Sequence, residues 1–345
     1  MADVIRTRGL TKTFRVPVKN EQKGFYRRLR HVLVNPSRPF TAVNDLTFHV
    51  AEGEILGFLG ANGSGKSTTI KMLTGILTPT AGEIDVLGYV PHRQRREYTQ
   101  HIGVVFGQKS LLWWNIPVIE SFKLYRDIYD VSERDFQERL ADFAALLEVT
   151  EFLHVPVRKL SLGMRMRAEI VASLLHRPRV IFLDEPTIGL DVISRLTLKR
   201  FLQRVNEEMG ITLFLTTHNM FDVEDLCRRC VIMSRGSVIY DGGVLDLKAS
   251  GSYKLIELEV LSIDNAPRFR RLLDRCQVLE SGATTYKLQV AGTEAQWVID
   301  ELFKSCRFAN LHIAPPTLEA IIHRIFEEDR AQEQRNVETV LQAAG

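Results

Sequence analysis

The chain has 345 residues, a formal net charge of +3 and a hydrophobic fraction of 45%. This length predicts about two domains, and the hydrophobic fraction is enough to bury a sizeable core. The small net charge argues against nucleic-acid binding over the whole chain, and no apolar run approaches the roughly 20 residues that span a bilayer.

The N-terminus and the cysteines bear on where the chain acts. Residues 1–6 lack the apolar core of a secretory signal, so we expect the chain to stay in the cytoplasm. Cys227 and Cys230 form a C-x-x-C pair. A zinc site needs a second pair of ligands at a suitable spacing, and the sequence contains no such pair. We therefore interpret the two thiols as structural.

The first elements are two short strands of an N-terminal sheet, predicted over residues 4–9 and 41–50. Apolar and polar residues alternate in the second strand, as expected of a half-buried strand. Between them lies an insert, residues 15–40, in which residues 24–34 combine apolar residues near helical spacing with positive charge. A basic amphipathic helix can lie on a membrane surface or an acidic partner. A solvated surface helix explains the same pattern, and both interpretations stay open.

The sequence Gly60-Ala-Asn-Gly-Ser-Gly-Lys-Ser67 fits the pattern G-x-x-x-x-G-K-[ST]. An apolar strand over 54–59 precedes it and a helix over 68–74 follows, which is the context that a phosphate-binding loop (P-loop) needs. Backbone N–H groups of such a loop cradle phosphates at a helix N-terminus. Lys66 would reach the β- and γ-phosphates, and the Ser67 hydroxyl would bind Mg²⁺. The alternative, a glycine-rich turn that matches by chance, does not explain the flanking strand and helix. The residues assigned to nucleotide binding here are Gly60, Ala61, Asn62, Gly63, Ser64, Gly65, Lys66, Ser67 and Thr68.

After the P-loop, apolar strands alternate with helices. Strands separated by helices predict a largely parallel α/β sheet, and ligands of such sheets bind at the C-terminal ends of the strands. The first long strand after the P-loop ends at Gln108, and the last is followed by His218. The strands are predicted over 84–88, 102–108, 180–184 and 212–217.

A pair of carboxylates follows the apolar strand Val180-Ile-Phe-Leu-Asp184. An aspartate at this position can hold Mg²⁺ through water opposite Ser67. Glu185 is placed to orient and polarise an attacking water molecule. The two carboxylates could instead cap a helix, but the end of a buried strand that faces a P-loop favours the catalytic interpretation.

The C-terminal part has a different pattern from residue 254 onward, after a linker at 247–253. Its elements are predicted in the order β-α-β-β-α-β over 254–313, which is the order of a small ferredoxin-like domain. A helix over 317–328 and a frayed tail, 329–345, follow. We therefore predict a first domain over 1–246 and an accessory α+β domain over 254–328.

These motifs, together with Leu160-Ser-Leu-Gly-Met164, resemble the nucleotide-binding subunit of ABC transporters. The resemblance covers about residues 4–245, with every expected motif in order. It implies a P-loop NTPase cassette that binds ATP and Mg²⁺. The cassette would have a mainly parallel core sheet, an N-terminal antiparallel sheet and a helical subdomain at about 109–176.

The resemblance also implies roles for single residues. Gln108 is similar to the glutamine that senses the γ-phosphate and Mg²⁺ and relays to the membrane partner. His218 is similar to the switch histidine that contacts the γ-phosphate, and Asp191 to the aspartate of the D-loop. Ser161 and Gly163 resemble the signature motif, which completes the ATP site of the opposite subunit.

The sequence departs from the family pattern in the signature motif and in the insert at 15–40, and the insert leaves more than one candidate for the adenine contact. Phe14 matches the aromatic residue that stacks on adenine, although a core phenylalanine at a strand end is an alternative and Phe40 is a rival. The signature usually reads L-S-G-G-Q, whereas Leu162 replaces a glycine here and Met164 replaces the glutamine. Ser161 and Gly163, which approach the phosphate in the family, are retained, and a side-chain contact from position 164 is lost.

Within the family, the chain looks like the ATPases of drug- and polysaccharide-type exporters, and its insert is similar to a branch of viologen exporters. Trp113 and Trp114 follow Gln108, where family members receive a coupling helix of the permease. Two adjacent aromatic residues suit an interface anchor, while burial in the helical subdomain is the alternative.

The sequence thus predicts an ATP-hydrolysing subunit that pairs head-to-tail with its own copy. It would act at the cytoplasmic face of the membrane through separate transmembrane permease subunits, with no nucleic-acid partner. One alternative is an ABC ATPase that acts on ribosomes or DNA without a permease. Members of that kind carry two cassettes or a long coiled coil, neither of which the sequence contains. A small-molecule kinase would leave the signature and switch motifs without a role.

Overall fold

The computed structural model describes residues 2–17, 37–107, 110–251 and 253–343. The predicted basic helix at 24–34 and Gln108 lie outside the described residues. The chain forms two compact units, Met1–Gly242 and Gly243–Gly345. Within the described ranges, no helix has the length and apolar character to cross a membrane.

The N-terminal sheet of the first unit has three antiparallel strands in the order β2-β1-β4. Strands β1 and β2 are longer than the sequence predicts, because their pairing continues until Pro17 lies opposite Ser37. The two ends of the predicted insert, 15–17 and 37–40, therefore belong to this strand pair. The strands are β1 Asp3–Pro17, β2 Ser37–Ala51 and β4 Ala81–Val86.

The core sheet has six strands in the order β5-β6-β7-β3-β8-β9, and its first five strands are parallel. This confirms the predicted parallel α/β sheet. The register aligns Phe106 with Asp184 and Asp184 with Thr216, so the strands end at one edge. The strands are β3 Ile55–Gly60, β5 Ile102–Phe106, β6 Val180–Asp184, β7 Thr212–Thr217, β8 Arg229–Ser234 and β9 Ser237–Gly243.

Buried aromatic side chains join the N-terminal sheet to the core sheet. Phe48 of β2 packs on Phe58 of β3 with the ring centroids 5.5 Å apart, and Phe58 packs on Phe214 at 5.0 Å. Each of these rings stabilises the fold by roughly 1.5–3 kcal/mol through burial alone. The strand that carries the P-loop is therefore anchored in one aromatic cluster with β2 and β7.

The helices of this unit connect the strands and form the helical subdomain between β5 and β6. The helical subdomain contains two helices between residues 118 and 146. The second helix begins after Ser132, whose side chain accepts a hydrogen bond from Asp135 N. The helices are α1 Lys66–Leu73, α2 Arg95–Tyr98, α3 Val118–Ile128, α4 Glu133–Leu146, α5 Leu162–Leu174, α6 Val192–Met209 and α7 Met220–Leu226.

The second unit has the predicted β-α-β-β-α-β order and a four-stranded antiparallel sheet in the order β11-β12-β10-β13. This is the ferredoxin-like topology, and it confirms that fold class. Ile256, Leu258 and Leu302 are buried in its core, and Ile299 is partly buried against them. The elements are α8 Val244–Ser250, β10 Tyr253–Ile263, α9 Ala266–Arg275, β11 Gln277–Ser281, β12 Thr285–Ala291, α10 Ala295–Ser305, β13 Cys306–Ala314 and α11 Leu318–Ala343.

The prediction of a frayed tail at 329–345 is wrong, because helix α11 continues to Ala343. Residues 329–343 are rich in Ala, Glu, Gln and Arg and contain neither glycine nor proline. These residues favour a helix, so the structure extends the helix that begins at Leu318.

The thiols of the C-x-x-C pair are free in the structure, and both Cys227 and Cys230 are buried. Burial raises the pKa of both thiols well above its ordinary value, which keeps them protonated and unreactive. In the part of the chain that the structure describes, no group of three or more His, Cys, Asp or Glu side chains is arranged to hold a metal ion. The burial of both thiols supports the structural interpretation of the cysteines.

Candidate functional site

The P-loop turns sharply between the end of β3 at Gly60 and the start of α1 at Lys66. Gly63 and Gly65 have φ values of 83° and 109°, which side-chain-bearing residues rarely adopt. A Cβ atom at Gly65 would also lie 2.5 Å from the carbonyl oxygen of Ala42. Glycine at position 65 therefore allows the loop to pass beneath the first strand pair and to start the helix.

Lys66 is 5% exposed, and its Nζ donates to the carbonyl oxygens of Gly60 at 2.6 Å and Ala61 at 3.2 Å. Burial lowers the pKa of Lys66, whereas the carboxylates of Glu185 and Asp184 act to raise it. The amine is thus held inside the loop and is electrostatically coupled to the carboxylates at the end of β6.

Most other residues of the loop are exposed to solvent, but one hydroxyl group is buried. Ala61, Asn62, Gly63 and Ser67 are exposed, and Thr68 is half-buried. Ser64 Oγ is buried and has no hydrogen-bond partner among the described residues. A buried hydroxyl without a partner is unusual in a native structure. It suits a site where the hydroxyl donates a hydrogen bond to an oxygen atom of a ligand.

At the end of β6, the two carboxylates are held in different ways. Thr216 Oγ1 donates to Asp184 Oδ1 at 2.6 Å. The backbone N of Glu185 donates to Thr216 O at 3.0 Å, and Glu185 has a φ of 54°. This left-handed conformation costs energy for a residue with a side chain, and such strain is frequent at functional sites.

The side chain of Glu185 points towards His218, whose Nδ1 lies 3.3 Å from Glu185 Oε1. His218 is 52% exposed in its side chain, and Glu185 is 22% exposed. The structure therefore brings these two predicted catalytic residues into contact at the solvent-facing edge of the sheet.

Ser161 and Asp191 each cap a helix of the same chain. Ser161 Oγ accepts from Met164 N at 3.2 Å at the start of α5. Asp191 accepts from Ser194 N at 2.9 Å and from Ser194 Oγ at 2.6 Å at the start of α6. The hydrogen bonds from Ser194 lower the pKa of Asp191, so its carboxylate is charged at neutral pH.

The signature segment packs directly against the D-loop. A Cβ atom at Gly163 would lie 2.7 Å from Ser194 Oγ, and one at Gly189 would lie 2.7 Å from Leu162 Cδ2. Leu162, which replaces the usual glycine, thus lies over Gly189 and remains 36% exposed. The resemblance implies that the signature motif completes the ATP site of the opposite subunit, and the structure adds a contact between this motif and the D-loop within one chain.

This contact predicts the effect of a methyl group at Gly163. In Gly163→Ala, the new Cβ displaces the Ser194 hydroxyl and breaks its hydrogen bond to Asp191, so we expect a melting temperature lower by roughly 2–4 °C. Removing the obstructing hydroxyl in Gly163→Ala/Ser194→Ala is expected to make the two effects non-additive, with the double variant less destabilised than the sum of the singles. Thermal unfolding of the four chains measures this coupling, and additive effects would contradict it.

Phe14 and Phe40 lie directly opposite each other in the β1–β2 pair. Phe14 is half-buried, with Lys12 Nζ 5.2 Å from its ring centroid, and Phe40 is 53% exposed. The alternative that Phe14 is a fully buried core residue does not fit this partial exposure. Phe40 is thus the more exposed of the two rings, while the Lys12 amine lies over the ring of Phe14.

The segment that leads to Gln108 begins against the end of β6, because Gly107 N donates to Asp184 O at 2.9 Å. Beyond Gln108, Trp113 and Trp114 are 43% and 52% exposed. The alternative that they are buried in the helical subdomain is therefore wrong. Arg165 of the signature helix lies over the Trp114 ring, with its Cζ 6.0 Å from the ring centroid.

Three polar residues support this site although they belong to none of the predicted motifs. Thr216 orients Asp184, Ser194 orients Asp191, and Thr217 Oγ1 accepts a hydrogen bond from Asn219 N at 2.9 Å. The only signal for the threonines was their position in the otherwise apolar strand at 212–217. Their role depends on side chains that are distant in sequence.

Comparison with known proteins agrees with this geometry. The family model for ABC transporters matches residues 43–188. The ABC transporter ATP-binding protein NatA of Bacillus subtilis (strain 168) is 32% identical over 209 residues, which cover 61% of this chain and 85% of NatA. The linearmycin resistance ATP-binding protein LnrL of the same organism is 34% identical over 227 residues, which cover 66% of this chain and 72% of LnrL.

A solved structure of an ATP-binding subunit of an ABC transporter superposes with a TM-score of 0.57. It is 26% identical in sequence, and the match covers 72% of this chain and 92% of that one. These matches confirm the resemblance inferred from the motifs. The chain belongs to the ABC transporter family, as an ATP-binding ABC ATPase.

Proposed function

We propose that this chain is the ATP-hydrolysing subunit of an ABC transporter and powers transport through separate membrane permease subunits. The contact between Glu185 and His218, beside Asp184 and at the edge where the P-loop begins, is the observation that carries the proposal. This contact supports the joint action of a carboxylate and an imidazole on the γ-phosphate of a P-loop-bound nucleotide.

The P-loop residues Gly60 to Thr68 would bind the phosphates of ATP. Lys66 Nζ is already held inside the loop by the carbonyl oxygens of Gly60 and Ala61, and it would turn to the β- and γ-phosphates. The unpartnered hydroxyl of Ser64 supports a phosphate within the loop. Phe14 is proposed to stack on the adenine ring.

Ser67, Asp184 and Gln108 would hold Mg²⁺. Their donors are oxygen atoms, which Mg²⁺ prefers, and a site of one carboxylate completed by water and substrate phosphates suits this ion better than a protein cage. Thr216 fixes the orientation of the Asp184 carboxylate. When bound, Mg²⁺ neutralises charge on the β- and γ-phosphate oxygens.

Hydrolysis would depend on positioning and charge stabilisation, as expected for a loose phosphoryl-transfer transition state. Glu185 would orient and polarise the attacking water, and His218 would contact the γ-phosphate. Their 3.3 Å contact supports a shared task, because each side chain limits the orientation of the other. Gln108 would sense the γ-phosphate.

Each ATP site would be completed by a second copy of the chain, bound head-to-tail. Ser161 and Gly163 of the partner would face the phosphates, with Asp191 beside them. Exposed apolar side chains surround this region and support a surface that becomes covered: Leu162, Ile188, Val192, Ile193 and Leu196. ATP would close the dimer, and hydrolysis would reopen it.

The cassette, 1–246, would meet a permease at Trp113 and Trp114, at the cytoplasmic face of the membrane. Their exposure supports an aromatic anchor in an interface. The accessory domain, 254–328, would regulate or brace the dimer. The name of LnrL, a resistance protein, supports an exporter.

Co-purification from native membranes tests the proposal. Tagged Glu185→Gln, which we expect to trap the ATP-bound dimer, should be recovered with one or two polytopic membrane proteins after gentle solubilisation. Trp113→Ala/Trp114→Ala in the same background should reduce that recovery, while the exposed pair Leu124→Ala/Ile128→Ala serves as the matched control. Recovery with ribosomes or DNA, and without a membrane protein, would favour the alternative of an ABC ATPase that needs no permease.

A further inference from the structure

A buried polar cluster lies beneath the Glu185–His218 pair, and Asp222 is at its centre. The side chain of Asp222 is completely buried at the start of α7. It accepts a hydrogen bond from Thr187 Oγ1, and its Oδ1 lies 2.8 Å from Lys199 Nζ. Thr217 Oγ1 donates to Asp222 Oδ2 at 3.4 Å. We call these four residues the Asp222 cluster.

The charge of Asp222 is balanced inside the fold. Lys199 is 5% exposed, and its Nζ also lies 2.8 Å from Asp225 Oδ2 and donates to Phe221 O at 3.1 Å. Burial lowers the pKa of Lys199, but the hydrogen bonds to the two aspartates outweigh that effect and raise it, so the amine is charged. A buried carboxylate is tolerated only when it is paired in this way.

The partners of Asp222 belong to three segments that lead to the site. Thr187 lies two residues after Glu185, on the segment that continues to Asp191. Thr217 is the residue before His218. Lys199 belongs to α6, which Asp191 caps. One carboxylate thus connects the segment of the water-orienting group, the segment of the switch histidine and the helix of the D-loop aspartate.

Glu185 needs such support because of its backbone. Its φ of 54° is a strained conformation, and strained residues persist only where the surroundings hold them. On one side, Glu185 N is bound to Thr216 O at 3.0 Å. On the other side, the chain is held by the hydrogen bond of Thr187 to Asp222. The cluster supplies the second of these two attachments.

We infer that Asp222 is a positioning residue that holds Glu185 and His218 in register with each other through Thr187 and Thr217. This inference rests on the proposed function. The P-loop has its own support, in which Lys66 bonds Gly60 and Ala61. Loss of the cluster's hydrogen bonds therefore changes the hydrolytic step and leaves ATP affinity in place.

Thr187→Val tests this inference, because valine has nearly the shape of threonine but cannot donate to Asp222. We expect kcat for ATP hydrolysis to fall about tenfold and the Kd for ATP to stay within about twofold of wild type. Thr187→Ser restores the hydroxyl and is expected to restore kcat. Thr7→Val is the matched control, since Thr7 is also buried and bonds Phe48 O, far from this segment.

A second readout does not depend on hydrolysis. The imidazole resonances of His218, assigned in the full-length chain with His218→Ala, are expected to move in Thr187→Val, to return in Thr187→Ser and to be unchanged in Thr7→Val. Wild-type resonances together with a wild-type kcat in Thr187→Val would overturn the inference. So would equal losses of kcat, ATP affinity and melting temperature, which indicate a structural role alone. A wild-type chain that binds ATP without hydrolysing it would contradict the proposed function, and the resonances would still decide the positioning role.

Discussion

Glu185→Gln is expected to lower kcat for ATP hydrolysis by about 10²–10⁴-fold while the Kd for ATP stays within about threefold of wild type. Glutamine preserves the size of the side chain and its reach to His218 Nδ1, which lies 3.3 Å from the carboxylate. The substitution removes the negative charge that polarises water. Glutamate and glutamine meet the same backbone strain at position 185, where φ is 54°, so we expect the substitution to change the stability of the fold little.

Phosphate release and equilibrium ATP binding separate these two effects. Glu138→Gln is the matched control, because Glu138 is an exposed glutamate on α4 in the helical subdomain. Sedimentation of Glu185→Gln with ATP should show the dimer that hydrolysis would otherwise reopen. An undiminished turnover in purified Glu185→Gln would refute the role assigned to this carboxylate.

Lys66→Ala is expected to weaken ATP binding by about 10–100-fold, because a hydrogen bond to a charged group contributes about 1.5–3 kcal/mol. Lys66 is buried in the loop and coupled to Asp184 and Glu185, and in the proposed function its amine would lie between the nucleotide phosphates and these carboxylates. The loss of charge affects ground-state binding and turnover together, in contrast to Glu185→Gln.

The same substitution leaves the carbonyl oxygens of Gly60 and Ala61 without their donor, so thermal unfolding must accompany the binding measurement. Lys66→Met retains the aliphatic stem and is expected to weaken binding to the same extent with less effect on stability. Lys71→Ala is the control, since Lys71 is exposed on the same helix. ATP affinity within twofold of wild type in a folded Lys66→Met would exclude a phosphate contact by this amine.

The sequence identified the P-loop and the strand that ends at Asp184 because both depend on local chemistry. At Gly60, for example, a Cβ would lie 2.4 Å from the hydroxyl oxygen of Ser64 in the same loop. The apolar run before Asp184 predicts a buried strand from composition alone. The family motifs predicted roles for Ser161, Asp191 and His218, which occur in the order that the family pattern expects.

The order of helices and strands in the C-terminal unit could be predicted from local sequence patterns. Its β-α-β-β-α-β order is readable from periodicity, and the structure agrees with it element by element. Charged and small residues at 329–345 predict a frayed tail. The run without glycine or proline instead allows helix α11 to continue to Ala343. At the N-terminus, the extension of β1 to Pro17 depends on its partner strand, which begins only at Ser37.

The sequence by itself determined the nucleotide loop, the strand-end carboxylates and the class of fold, because each rests on residues that are neighbours along the chain. Only the tertiary structure decided how Thr216 orients Asp184, how Gly163 packs on Ser194, and how Asp222 joins Thr187 to Thr217. Thr216 and Asp184 are 32 positions apart, and Thr187 and Asp222 are 35 apart. Such contacts arise when parallel strands align and bury side chains whose polar atoms must find partners, which local periodicity does not encode.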